Sequence, residues 1–92
     1  MSGYRRIHME ARDPTRNRFR RWELEVTEDL FGAWIVRVNF GRIGSSGRIF
    51  ARSLADRLTA GRYVRATIAR RRSAPQRIGV AYRVIVDDGT LA

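Results

Sequence analysis

Ninety-two residues, 43% apolar and with a formal charge of +10, describe one small domain with enough apolar surface for a core, which excludes a disordered tail. The lack of cysteine and the single histidine exclude disulfides, thiolate chemistry and a structural zinc site built from N and S donors. No apolar run approaches the length of a bilayer span, and the opening Met-Ser-Gly-Tyr-Arg-Arg-Ile-His has no apolar h-region. The expectation is therefore a bacterial, cytoplasmic protein with no membrane partner and no signal peptide.

Ile7, Met9 and Ala11 alternate with Arg6, His8, Glu10 and Arg12, the period of a half-buried strand. Asp13-Pro14 breaks it, because Pro presets φ for a turn and Asp can bond the backbone two residues on. Thr15, Arg16 and Asn17 complete the connection. In the second strand Trp22, Leu24 and Val26 share one face, and Arg21, Glu23 and Glu25 the other. Phe19 is out of phase with Trp22, which predicts a bulge near Arg20 or a bent start to the strand. Residues 27–32 read as an acidic loop. A third strand over 33–40 places Trp34, Val36, Val38 and Phe40 on one face, with Ile35, Arg37 and Asn39 opposite. The turn Gly41-Arg42-Ile43-Gly44-Ser45-Ser46-Gly47 leads to a short fourth strand over 48–52, since Gly takes positive φ without strain.

The period then changes. Ser53 as N-cap, with Asp56 three residues on, predicts one amphipathic helix over 54–72. Leu54, Leu58, Gly61, Val64 or Arg65, and Ile68 form its inner face, and Gly61 weakens it by about 1 kcal/mol relative to Ala. Arg57, Arg62, Arg65, Arg70, Arg71 and Arg72 lie outward, the last three suiting the helix dipole. Ser73-Ala74-Pro75 ends the helix. Val80, Tyr82, Val84 and Val86 alternate as a last strand, and Asp87-Asp88-Gly89 reads as a tail. The expected class is α+β: an antiparallel sheet in the order ββββαβ with one helix packed on it. It forms a single domain, 1–92, with its core at 7–86 and tails at 1–6 and 87–92.

Charge is unevenly spread. All 19 basic residues are Arg, and residues 1–22 sum to +5, 23–36 to −4, 37–86 to +11 and the last six to −2. A folded domain with this pattern has a strongly positive side, for which nucleic acid is the commonest partner. Arg in particular presents a planar fork that matches phosphate and stacks on rings.

Catalytic constellations are missing. His8 lies on the polar face of the first strand and reads as a surface or edge residue. Glu23 and Glu25 read as salt-bridge partners beside Arg21. The glycines run G-x-x-G-x-x-G with no Lys-Ser/Thr after them, so neither the dinucleotide nor the P-loop fingerprint is present. Gly44-Ser45-Ser46-Gly47 fits the G-x-x-G of KH domains, but that loop joins helices and here strands flank it. What remains is the turn Phe40-Gly41-Arg42-Ile43-Gly44. It groups a ring able to stack on a base or sugar, an Arg able to fork onto phosphate, and backbone N–H groups. By periodicity alone Phe40, like Trp22 and Trp34, continues a core face.

Asn39-Phe40-Gly41-Arg42-Ile43-Gly44 resembles the signature of the WGR domain, with Phe-Gly-Arg in place of Trp-Gly-Arg. Asn17-Arg18-Phe19 followed by Trp22-Glu23-Leu24, then Phe31-Gly32 with Trp34 and Val36-Arg37, resemble further motifs of that family in the same order. So do Gly47-Arg48 and the basic helix end; the Gly-Tyr expected after the helix is matched only loosely by Gly79 and Tyr82. The resemblance spans about residues 7–86. It implies a non-enzymatic domain of a kind found beside the catalytic domain of DNA-dependent poly(ADP-ribose) polymerases and as small stand-alone bacterial proteins. In the polymerases that kind of domain binds near DNA ends and breaks and contacts neighbouring domains. By position, the resemblance assigns Phe40 to a terminal sugar and Arg42 to backbone and interdomain contacts. No ADP-ribosyltransferase segment fits in 92 residues, so no such activity, no cofactor and no metal are expected. The expected site is Phe40, Gly41 and Arg42, joined by Arg16, Asn17 and Arg18, by Arg37 and Arg48, and by Arg70, Arg71 and Arg72. The expected partner is DNA, with RNA an alternative. A second reading is a protein-interaction module using the same turn.

Overall fold

In the computed structural model, residues 4–73 and 81–89 are described. Period-two alternation produces five strands: β1 (Arg5–Asp13), β2 (Arg18–Glu28), β3 (Trp34–Arg42), β4 (Arg48–Leu54) and β5 (Arg83–Gly89). They form one antiparallel sheet in the order β4-β3-β2-β1-β5. The first strand opens two residues before the expected core, and the last closes three residues after it. Asp87-Asp88-Gly89 is thus strand and not tail. Arg5 forks onto the Asp87 carboxylate, Nε to Oδ1 at 3.2 Å and Nη2 to Oδ2 at 3.1 Å. The Tyr4 hydroxyl donates to Asp88.

Register decides which side chains meet. Met9 faces Trp22 and Trp22 faces Phe40, while Leu24 faces Val38 and Val26 faces Val36. Cross-strand neighbours share a face, so Ile7, Met9, Trp22, Leu24, Val26, Trp34, Val36 and Val38 make one continuous apolar surface. Each such side chain contributes about 1.5–3 kcal/mol when fully buried. The expected bulge near Arg20 is absent: β2 pairs without interruption with β1 and β3. Phe19 simply lies on the other face, and the irregularity falls instead between His8 and Met9, where β1 meets β5.

Helix α1 (Arg57–Arg72) covers the apolar face. It begins three residues later than expected, and Ser53 is not its cap. Ser53 and Leu54 continue β4, with Leu54 opposite Trp34 and buried. Asp56 is the N-cap, its Oδ1 accepting the Thr59 N–H at 2.8 Å. The expected inner face keeps Gly61, Val64 and Ile68 but loses Leu54 to β4 and Leu58 to solvent. Ala60, Gly61, Val64 and Ile68 are buried, and Leu58 is 63% exposed. Ala60, Val64 and Ile68 are spaced by four, one row of a helix. Ser73 closes the helix, its N–H donating to the Arg71 carbonyl. Ala74, Pro75, Gly79 and Val80 lie outside the described residues.

The cap also sets a pH dependence. The Thr59 backbone N–H holds the Asp56 carboxyl below its ordinary value of 3.8. A carboxylate whose pKa is lower in the folded chain stabilises it above the unfolded value, and that contribution is lost as pH falls through the folded one. Asp56→Ala is therefore expected to lower Tm at pH 7, with the gap to the parent narrowing below about pH 4. Thermal melts of both chains across pH 2–7 check this.

Candidate nucleic-acid interface

The turn between β3 and β4 is built by close approach. A Cβ on Gly41 would stand 2.9 Å from the Gly47 Cα. One on Gly47, at φ +68°, would stand 2.6 Å from the Phe40 carbonyl oxygen and 2.8 Å from Asn39 Oδ1. The loop thus folds flat over the strand end, and glycine at both positions serves the turn itself. Arg21 clamps it from β2, Nη1 donating to Asn39 Oδ1 at 2.8 Å and Nη2 to the Ser45 carbonyl at 2.6 Å. The backbone N–H groups expected to be available for a ligand are partly consumed. Ile43 donates to the Phe19 carbonyl and Ser45 to the Arg42 carbonyl.

Arg42 belongs to a neighbouring structure. Pro14–Arg16 is a 3-10 turn, and Asn17 after it adopts the left-handed conformation, φ 54°. That aims both Asn17 oxygens at Arg42: Nη1 donates to the carbonyl at 3.1 Å and Nη2 to Oδ1 at 2.9 Å. The guanidinium also lies over the Phe19 ring, 5.2 Å from its centroid. Among the described residues no carboxylate holds it, and its hydrogen bonds are the two to Asn17. Arg18 and Arg20 flank the same hollow. Arg16, at the end of the turn, is drawn to Asp13. Within that turn the Thr15 hydroxyl holds the Asp13 carboxyl below its ordinary range.

Phe40 sits elsewhere. It ends the core row and is 37% exposed, so it is neither sealed inside nor fully in water. Its ring lines a groove of about 350 Å³ between the sheet and the C-terminal half of α1. Trp22, Val38, Phe50 and Tyr63 line it too, with Arg70 and Arg71 on the helix side. Arg71 stands over the Trp22 ring at 5.6 Å and the Tyr82 ring at 5.9 Å, within cation–π range. Arg52 stands over Tyr63 at 5.0 Å. Arg48 is opposite Phe40 on β4. Two basic patches therefore flank the same end of the sheet: Asn17, Arg18 and Arg42 at the strand ends, and Arg48, Arg70 and Arg71 around the Phe40 ring. Arg72, exposed, follows them on the helix.

The uncovered face differs. There Arg12, Glu10, His8, Glu23 and Arg21 form a polar row: Arg12 to Glu10 at 3.0 Å, His8 to Glu10 at 3.4 Å and to Glu23 at 3.5 Å, Arg21 to Glu23 at 3.7 Å. His8 is thus half-buried between carboxylates and not an open edge residue. Arg37 lies on this face, opposite Glu25 in register and away from Phe40. Of the residues expected to act together, Arg37 lies on the opposite face, and Phe40 and Arg42 fall into separate patches.

Sequence patterning missed Phe50 and Tyr63. Phe50 was legible only through register, because it is opposite Val38. Tyr63 depended on the helix phase.

The family model described as WGR domain matches residues 5–74, from the first residue of β1 past the end of α1. The chain belongs to the WGR domain family. WGR domains are nucleic-acid-binding modules, and the domain is a binding one rather than a catalytic one. No curated protein and no solved structure matches the chain. Among the described residues no helix is long and apolar enough to cross a membrane.

Proposed function

We propose that this WGR domain is a non-enzymatic module that binds DNA through its backbone and ends, without strong sequence preference. The observation that carries the reading is the partly exposed Phe40 ring in a groove bordered by Arg70 and Arg71. On the opposite face, Arg12 is paired with Glu10, and Arg21 is engaged by Asn39 and the Ser45 carbonyl. A ring beside guanidinium groups matches a terminal sugar or base flanked by phosphates. Arg42 adds a second phosphate contact, because the bonds to Asn17 engage only two of its five N–H groups.

Fluorescence anisotropy with a blunt duplex carrying 5′-phosphates tests this. Phe40→Ala is expected to weaken end binding on the order of tenfold, the loss of one stacking contact. It should leave binding to a closed circular duplex nearly unchanged. Arg42→Ala should weaken both. Equal affinity of the parent and both variants would refute the reading, and a matched RNA duplex tests the preference for DNA.

A further inference from the structure

The end of the sheet remote from the groove carries a surface of another kind. The loop between β2 and β3 is closed by Asp29. Its Oδ1 accepts the backbone N–H groups of Phe31 at 2.8 Å and Ala33 at 2.9 Å, and its own N–H donates to the Ala33 carbonyl at 2.8 Å. A turn bonded in this way has a defined shape. Yet it holds Leu30 98% exposed and Phe31 94% exposed. Two large apolar side chains displayed side by side on an ordered tip forgo the stabilisation that burial would bring, the mark of a contact surface. Glu28 and Asp29 are exposed beside them, so the tip is acidic and repels nucleic acid. Its complement is an apolar hollow bordered by cations.

This chain carries such a hollow. The groove of about 350 Å³ has Trp22, Val38, Phe40, Phe50 and Tyr63 in its lining, and Arg70 and Arg71 at its edge. One molecule cannot close on itself, because β3 holds its Trp34 end about 20 Å from Phe40. We propose that the Leu30-Phe31 tip of one copy docks into the groove of a second copy, with Glu28 and Asp29 set against the arginines. The contact is head-to-tail, so each copy keeps a free tip or a free groove, and association propagates. A patch built on two side chains buries far less than a stable dimer interface. The association is therefore weak, concentration-dependent and weakened by salt.

The inference goes beyond the nucleic-acid reading and does not rest on it, and its test contains no nucleic acid. The chain has no cysteine, so Thr27→Cys, exposed near the tip, accepts a single spin label while leaving Leu30, Phe31, Glu28 and Asp29 intact. The labelled chain at natural isotopic abundance is mixed with the ¹⁵N-labelled parent at near-millimolar concentration. The expected result is strong loss of amide signal at Phe50, Tyr63, Thr67 and Arg70, reversed on reduction of the label and diminished by salt. Adding Phe31→Ser to the labelled chain should abolish it. That residue is almost wholly exposed, so the variant keeps its fold. Full signal at the groove amides, signal loss centred on another face, or loss that persists with Phe31→Ser would each overturn the proposal.

Discussion

A chain in which Arg48, Arg70 and Arg72 are all changed to Gln is expected to bind a short duplex on the order of a hundredfold more weakly at about 0.15 M salt. All three are exposed, so the substitutions leave the core intact and act on charge. If the parent neutralises about five phosphates, a fourfold rise in salt weakens it by several hundredfold, since each contact contributes about 0.9 to the slope of log K against log salt. Removing three contacts lowers that slope by about 2.7. Affinity alone would not separate lost contacts from a disturbed site; the slope does. Titrations at several salt concentrations, with circular dichroism to verify the fold, give both quantities. An unchanged slope would place the polyanion on other residues.

Trp22→Ala has the largest expected effect on stability. Trp22 is 1% exposed, faces Met9 on one side and Phe40 on the other, and supports the Arg71 guanidinium. Emptying such a site costs about 3–5 kcal/mol. In a domain of this size each kcal/mol shifts Tm by about 4–8 °C, so a fall of roughly 12–40 °C is expected. Much of the total stability of a small domain would go with it. Trp22→Phe keeps part of the volume and should fall between the two. Urea unfolding followed by far-ultraviolet circular dichroism measures the series, and a loss under about 1 kcal/mol for Trp22→Ala would contradict the packing described.

These two sites show how far the sequence reveals its structure. The strand faces were legible because one alternating pattern recurs, and burial of one face leaves little choice of register. Trp22 and Trp34 lie where periodicity placed them. The helix start was not legible. Ser53 and Asp56 are both good caps, and which one acts depends on whether Leu54 packs opposite Trp34, a tertiary contact that local pattern does not contain. The ends of the sheet are hidden from local pattern for a similar reason. Asp87 and Asp88 look like a solvated tail until Arg5 of β1, and Tyr4 just before it, are seen to be their partners. At the site, the triplet Phe40-Gly41-Arg42 stands out in sequence, but its three residues do three different things. Phe40 opens into the helix-side groove, Gly41 admits the folded-back turn, and Arg42 is held by Asn17. Alternation places neighbours on opposite faces, so adjacency in sequence did not mean a shared contact.

Amide shift mapping of the full chain with a short duplex ending in a 5′-phosphate locates the nucleic-acid contact. Shifts are expected to centre on Phe40, Phe50, Tyr63, Arg70 and Arg71 and to extend through residues 41–47 to Asn17. Shifts confined to the uncovered face, around His8, Glu25 and Arg37, with the groove silent, would contradict that placement.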